Sequence, residues 1–361
     1  MNFITTWLPT IIVFILMLGI LVFVHELGHF LAARLSGIKV KEFAFGFPPN
    51  LWSKKFRGTR YMINLFPIGG YVKLLGEDES VKDEDAFCNK SVGKRIFVVV
   101  AGVLMNFLLA YVAFMVLFWC SIPPITQAPS AYGGKVAEGS GGLYIDEVMP
   151  DSLASKYDIR AGDTILQIDT VKSPSVSDLK NEIAKNKDGS INLFIKRSGE
   201  KEIDKKIDIG ENTALGVSLW EKIGKVGYTW WKVPYYAGVE TVRAIEMTVL
   251  GFYNLLKNLF VSHMVPAEVS GPIGIFGITS TAVKLGFAYV LGLLILLTVN
   301  LGIINIFPFP ALDGGRLIFL IVEKIRGKKV AENVEGIIHS IGFFLLIALI
   351  ILVTIRDIIK L

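Results

Sequence analysis

The chain has 361 residues, of which 52% are apolar, and a small excess of Lys and Arg (37) over Asp and Glu (32). That length allows two or three domains, and the positive mean hydropathy argues against an ordinary soluble globular protein. The basic residues form no single stripe, so composition gives no reason to expect a nucleic-acid partner.

Several apolar runs reach the roughly 20 residues needed to cross a bilayer. They predict a multi-pass α-helical membrane protein with four spans and an attached soluble portion. The first span runs from Trp7 to Leu35. It lacks a basic leading region and a small-residue cleavage site, so it reads as a retained span and not a signal peptide. A basic segment follows, with Lys39, Lys41, Lys54, Lys55, Arg57, Arg60 and Lys73. Within it, FRGTRYMINLFPIGGYVKLLGED predicts a β-hairpin over about 58–75. Arg60 to Phe66 would form one strand, Pro67, Gly69 and Gly70 the punctuation, and Tyr71 to Leu75 the return. The hairpin is apolar enough to dip into the bilayer, where irregular backbone is tolerated only against protein or a wet cavity.

The second span is predicted from Ile96 to Trp119, after Lys94 and Arg95. Residues 1–119 thus form a first membrane portion. From Gly142 to about Ile209 the pattern alternates like a small soluble α/β domain, given the bounds 120–210. It contains LYIDEV, a helix start at Asp151-Ser152-Leu153-Ala154, AGDTILQID, the helical SDLKNEIAKN and the strand-like INLFIKR. In residues 211–286, Tyr228 to Phe260 is aromatic and apolar but broken by Lys232, Glu240, Arg243, Glu246 and Lys257. That pattern predicts a segment lying along the membrane surface, with a buried amphipathic helix as the alternative. Residues 287–361 form the second membrane portion, with spans at about Phe287–Phe307 and Ile337–Ile355. Between these lie Arg316, Lys324, Arg326, Lys328 and Lys329. By the positive-inside rule both basic loops are cytoplasmic, and both termini and the soluble domain are outside. Cys88 and Cys120 flank the second span, so no disulfide between them is expected.

The chemistry is concentrated in the first span. His25-Glu26-Leu27-Gly28-His29 is H-E-x-x-H. Positions i and i+4 share a helix face, so two imidazoles can grip one metal ion. Glu26 then stands where a general base would take a proton from water activated by the metal. A helix end with interfacial polar groups is the competing account. It is weakened by the cost of each ionisable group at such depth, on the order of 2.5–3.5 kcal/mol. His25 precedes Arg34 by nine residues, which puts it roughly 13 Å deep at the helical rise. A third ligand must come from elsewhere. His263 belongs to the outer segment and His339 opens the last span. Asp313, in NIFPFPALDGG, is the better candidate if Pro308 and Pro310 bend the chain back into the bilayer. A simple helix cap is the other reading of Asp313. An N/N/O site accepts zinc, iron or cobalt.

With these residues in view, the chain resembles the site-2 protease family of intramembrane zinc metalloproteases. HELGH and the stretch from Asn305 to Gly314 match that family's two signatures, the second as N-x-x-P-x-x-x-L-D-G. FPIGGYVKLLGED resembles its membrane-embedded hairpin, NKSVGKRIFVVVAGVLMNF the start of its second core span, and VSGPIGI the stretch before its third. The outer domain resembles a PDZ domain, and nearly the full length is similar to the bacterial RseP type. One PDZ domain fits here where some bacterial members carry two, which leaves substrate selection open.

The resemblance implies one Zn2+ per chain on His25, His29 and Asp313, Glu26 as the catalytic base, and Asn305 holding substrate near the metal. An asparagine bonding to a neighbouring helix is the plainer account of Asn305. A hairpin edge would hold an unwound substrate by strand addition, with Tyr61, Ile63, Gly69 and Gly70 as its contacts. The PDZ groove would use backbone near Ser140 to Leu143, with Gly141, Gly142 and Leu143 at its centre. That domain would either bind a free C-terminus or screen substrates by bulk. The implied substrates are single-pass membrane proteins, such as anti-sigma factors or signal-peptide remnants, trimmed first by an upstream site-1-type protease. The implied location is a bacterial cytoplasmic membrane, with the active site open towards the cytoplasm. Two other classes compete. An inactive membrane scaffold has no need of Glu26, and a metal transporter lacks the expected paired repeat.

Overall fold

The computed structural model describes residues 3–77, 81–123, 132, 135–136, 141–186, 189–197, 202–209, 214–222, 225–261 and 270–360. His263 and Ser140 lie outside the described residues. The chain divides into two compact units, one of residues 1–114 with 238–361 and the other of residues 115–237.

The first unit is helical. Helix α1 spans Phe3–Leu35 and is apolar around its whole circumference up to Val24, with His25, Glu26 and His29 in its last third. Helix α2 is Val92–Trp119. Both cover the spans expected from hydropathy, and later in the chain Phe287–Ile306 and Glu332–Lys360 do the same. These are the four described helices long and apolar enough to cross a membrane. Their large outward side chains, among them Leu16, Ile20, Phe344 and Leu352, are exposed. So much uncovered apolar area is what a helix surrounded by lipid presents.

After α1 the chain enters a sheet of β1 (Val40–Phe56) and β2 (Thr59–Leu74). The hairpin turn is Arg57-Gly58, both at positive φ (47° and 85°), and not the expected Pro67–Gly70 stretch. A two-residue turn of this kind matches the twist of the strands it joins. Pro48 and Pro49 make β1 read as a loop in sequence, which is why the earlier strand was missed. The sheet is folded over on itself. Phe43 faces both Tyr61 and Val72, Phe45 faces both Ile63 and Gly70, while Trp52 and Lys54 face Ile63 and Tyr61 from the other side. Segment 60–63 is therefore interior, and segment 70–74 pairs only with 40–45.

The second unit holds β3 (Lys135–Val136), β4 (Gly142–Val148), α3 (Leu153–Lys156), β5 (Thr164–Ile168), β6 (Val171–Lys172), α4 (Val176–Lys185), β7 (Ser190–Lys196), β8 (Ile203–Asp208), β9 (Val217–Lys222) and β10 (Val226–Gly227). Its main sheet runs β8-β7-β5-β4-β9, with β6 on β5. Inward-facing Leu143, Ile145, Ile165, Ile191, Leu193 and Ile195 are fully buried. Helix α3 starts where the Ser152 hydroxyl accepts from the Ser155 N–H. Helix α4 starts on a capping box, in which the hydroxyl and backbone N–H of Ser175 bond to Asp178 and hold its carboxyl below the usual carboxylate range. The strand at 217–222 belongs to this sheet, so the sheet runs past the expected boundary at 210. Its partner β4 is some 70 residues away in sequence, and such long-range pairing leaves little local signal.

The stretch 211–286 is accordingly not one surface segment. It begins with β9, continues through α5 (Val233–Val261) and ends with α6 (Pro272–Leu285). Helix α6 packs on α1 and on α7 (Phe287–Ile306). Helices α8 (Asp313–Arg326) and α9 (Glu332–Lys360) complete the first unit. Arg95 of α2 and Glu323 of α8 tie two of these helices through bonds of 2.9 and 2.5 Å.

Candidate active site

His25 and His29 lie one turn apart on α1 and point to the same side. Their Nε2 atoms are 3.2 Å apart. Asp313 Oδ2 is 3.1 Å from His25 Nε2 and 3.3 Å from His29 Nε2. The three donor atoms form a nearly equilateral triangle.

Local chemistry explains how Asp313 arrives there. Helix α7 ends at Ile306, and Phe307 to Leu312 fold back before α8 begins at Asp313. Pro308 and Pro310 cannot continue a helix. Ala311 takes a positive φ of 75°, and its N–H donates to Nδ1 of His339 on α9 at 3.0 Å. The loop then presses on the first turn of α8 so closely that a Cβ at Gly314 would lie 2.0 Å from the Phe307 carbonyl oxygen. Only glycine fits that position.

A different glycine seats the imidazoles. A Cβ at Gly102 of α2 would fall 2.4 Å from His29 Nε2 and 2.8 Å from His25 Cε1. The two rings therefore rest directly on the backbone of α2. That helix also meets their other nitrogens: His29 Nδ1 is 2.9 Å from the Val98 carbonyl oxygen, and His25 Nδ1 is 3.1 Å from the Asn106 amide.

Beside the triangle lies a cavity of about 160 Å³, lined by His25, Glu26, His29, Tyr71, Glu77, Asp313 and Arg316 among others. It is roomy enough for a few water molecules. Glu26 faces it. Arg316 bonds to Glu77, and Glu77 also accepts from the Leu74 N–H at 3.0 Å. That fastens the end of β2 to α8 at the cavity.

The other expected site residues are distributed unevenly. Asn305 Nδ2 is 3.3 Å from His25 Nε2. Gly70 adjoins the cavity, since a Cβ there would lie 3.3 Å from Glu26 Cγ. Gly69, at φ 127°, is packed against the Phe47 ring instead. Tyr61 and Ile63 have strand segments on both sides, so neither lies on an open edge. They line a separate apolar hollow of about 400 Å³ with Phe23, Phe43, Phe45 and Trp52. In the second unit, the Gly141 N–H donates to Ser173. Gly142 and Leu143 are in β4, which is flanked by β5 and β9 and offers no free edge for strand addition. Sequence reasoning missed Gly102, Asn106, Tyr71, Glu77 and Arg316. Asn106 alone had a visible signal, as an amide in the middle of an apolar span.

The sequence profile described as Peptidase family M50 matches residues 13–349. The chain belongs to this family. Zinc metalloprotease RasP of Oceanobacillus iheyensis is 30% identical, with 97% of this chain and 99% of that one covered. A protein of Clostridium acetobutylicum named "Putative zinc metalloprotease" is 34% identical, with 97% of each chain covered. This M50 protein is a zinc metalloprotease and a membrane protein. The triangle fits zinc. Two imidazole nitrogens and one carboxylate oxygen are a usual donor set for the ion, and a tetrahedron with bonds of about 2.0–2.1 Å has edges of roughly 3.3 Å. Asp313 Oδ2, moreover, is cut off from solvent, and among the described residues the two imidazole nitrogens are its polar neighbours.

Proposed function

We propose that this protease cuts peptide bonds within the transmembrane segments of single-pass proteins, with His25, His29 and Asp313 holding zinc and Glu26 as the general base. The single observation behind the reading is the donor triangle, with a carboxylate beside it, carried on an apolar span. Zinc, when bound, supplies Lewis acidity that makes water a competent nucleophile near neutral pH and polarises the scissile carbonyl. Glu26 accepts a proton from the attacking water as its oxygen bonds to the carbonyl carbon. It returns that proton to the amide nitrogen as the C–N bond breaks, leaving one carboxylic acid and one amine. The 3.3 Å distance of Asn305 from His25 Nε2 supports its role as a donor to a substrate carbonyl near the metal.

A membrane helix hides its carbonyls in internal hydrogen bonds, so it must be unwound before it is cut. The side of Gly70–Val72 turned away from 40–45, which no described strand pairs, lies beside the cavity and supports strand addition as the way its backbone is held. The proposed edge is thus the return strand, with Gly70 retained from the expected set and Tyr61 and Ile63 left out. The main sheet of residues 142–222 is read as a single PDZ-like domain of the RseP type. The charge pattern supports placing it and both termini outside a bacterial cytoplasmic membrane, with the active site open to the cytoplasm. In that position it excludes substrates not yet trimmed by a site-1-type protease, or binds a C-terminus elsewhere than on β4, whose two sides are already paired. Anti-sigma factors and signal-peptide remnants are the substrate classes in view.

The test compares membrane proteomes of cells making the wild type or Glu26→Gln. Single-pass proteins in the penultimate, trimmed form should accumulate with the variant. Matching proteomes under envelope stress would remove Glu26 from the chemistry.

A further inference from the structure

Asn106 sits in the middle of α2, fully buried, and nothing in the reaction described above uses it. Its Nδ2 lies 3.1 Å from Nδ1 of His25, while its Oδ1 is buried without a hydrogen-bond partner among the described residues. Both facts are awkward as they stand. An amide nitrogen only donates, so Nδ1 would have to accept, and a neutral imidazole would then carry its proton on Nε2. Nε2 is the atom facing Asp313 at 3.1 Å and His29 at 3.2 Å, and once protonated it has no lone pair for a metal. A half-turn of the amide about its Cβ–Cγ bond removes the conflict at the ring without moving it, and puts the NH2 group where Oδ1 stood without a partner among the described residues. Oδ1 then accepts from Nδ1–H, and Nε2 is left bare towards the other two donors.

We infer that Asn106 is a positioning residue that sets the tautomer and orientation of His25 by accepting its Nδ1 proton through Oδ1. The inference rests on the zinc reading of the site and deepens it. The second histidine supplies an internal comparison. His29 Nδ1 is 2.9 Å from the Val98 carbonyl oxygen, which can only accept, so that ring in its neutral, metal-binding form has its proton on Nδ1 and Nε2 bare. With the amide turned, the two rings adopt the same tautomer. Both acceptors come from one face of α2, where Val98, Gly102 and Asn106 recur every four residues and meet the rings in reverse order along α1. The same turn of α2 is held in place from α7, where the Thr298 hydroxyl donates to the Asn106 carbonyl oxygen at 3.1 Å. Outer partners of this kind fix ring orientation and raise the basicity of the coordinating nitrogen, and their loss typically costs about 10–100-fold in metal affinity.

The alternative role for Asn106 is packing, an amide that merely bridges two helices. Two substitutions separate the roles, since Asn106→Asp can only accept and Asn106→Leu can do neither. Zinc affinity is measured by chelator competition on the full-length chain in detergent micelles. For Asn106→Leu the dissociation constant should rise about 10–100-fold, and for Asn106→Asp it should stay near that of the wild type. In the zinc-loaded wild type labelled with 15N-histidine, the His25 Nδ1 should carry a proton seen in a 15N–1H correlation. Equal loss in both variants, unchanged affinity in both, or a His25 Nδ1 without a proton overturns the inference. If Asn106→Leu fails to fold, the Asp variant and the wild-type spectrum still decide. A wild type that takes up no zinc overturns the zinc reading itself, and the inference with it. A wild type that binds zinc while Asn106→Leu binds it equally well overturns only the inference.

Discussion

Replacing Gly102 by Ala tests the seating of the metal site directly. The new Cβ would sit 2.4 Å from His29 Nε2 and 2.8 Å from His25 Cε1, where ordinary contact begins at 3.4 Å. The His29 ring must therefore retreat by about 1 Å, or α1 and α2 must separate by as much. Metal–ligand distances tolerate only about ±0.2 Å, and a 1 Å misplacement of reacting groups costs on the order of 100-fold in rate. Helix propensity acts in the opposite direction, because Ala is favoured over Gly by roughly 0.8–1.0 kcal/mol in a helix interior. Weaker helix formation therefore cannot be the cause of any loss. Gly93→Ala is the control in the same helix, since nothing lies within 4 Å of its Cβ position. The assay is zinc content of the purified protein, followed by cleavage of a single-pass reporter. Gly102→Ala should lose zinc and fall about 100-fold in cleavage, while Gly93→Ala should match the wild type. Full zinc occupancy and wild-type cleavage in Gly102→Ala would refute the account of how the imidazoles are held.

The edge strand and the helix tie give two more tests. The Leu75 N–H donates to Lys39 and the Leu74 N–H to Glu77, so by alternation the Val72 N–H points away from β1. Val72→Pro should therefore spare the ladder, reduce reporter cleavage and leave zinc bound; normal cleavage would remove this edge from substrate binding. Glu323→Gln leaves Arg95 without its ionised partner, with the two side chains only 13% and 7% exposed. It should cost about 3 kcal/mol in thermal unfolding, whereas replacing both residues by Met should cost much less; equal losses would show that the pair itself stabilises the fold.

Periodicity and hydropathy act over one helix or one strand, and whatever depended on them was legible in the chain. The four spans follow from runs of apolar side chains, whose preference for lipid needs no partner. HELGH displays two imidazoles on one face because the helical repeat alone does so. Pro308 and Pro310 made Asp313 a candidate by forbidding a straight continuation, but the same residue read equally well as a helix cap, and the close fit of Gly314 belongs to the folded loop.

What remained depends on which surfaces meet, and that is a property of the folded chain. Tyr61 and Ile63 look like edge residues by alternation, yet segments 42–45 and 52–54 close on them from both sides. Strand β9 joins its sheet through a partner far away in sequence, so the domain's extent was not marked locally. Gly102 and Asn106 are unremarkable in an apolar helix until α1 is laid against α2. Then the missing Cβ of one makes room for two rings, and the amide of the other meets His25. The sequence supplied the donors through local geometry, while their spacing to 3.1–3.3 Å and the groups behind them came from packing between helices.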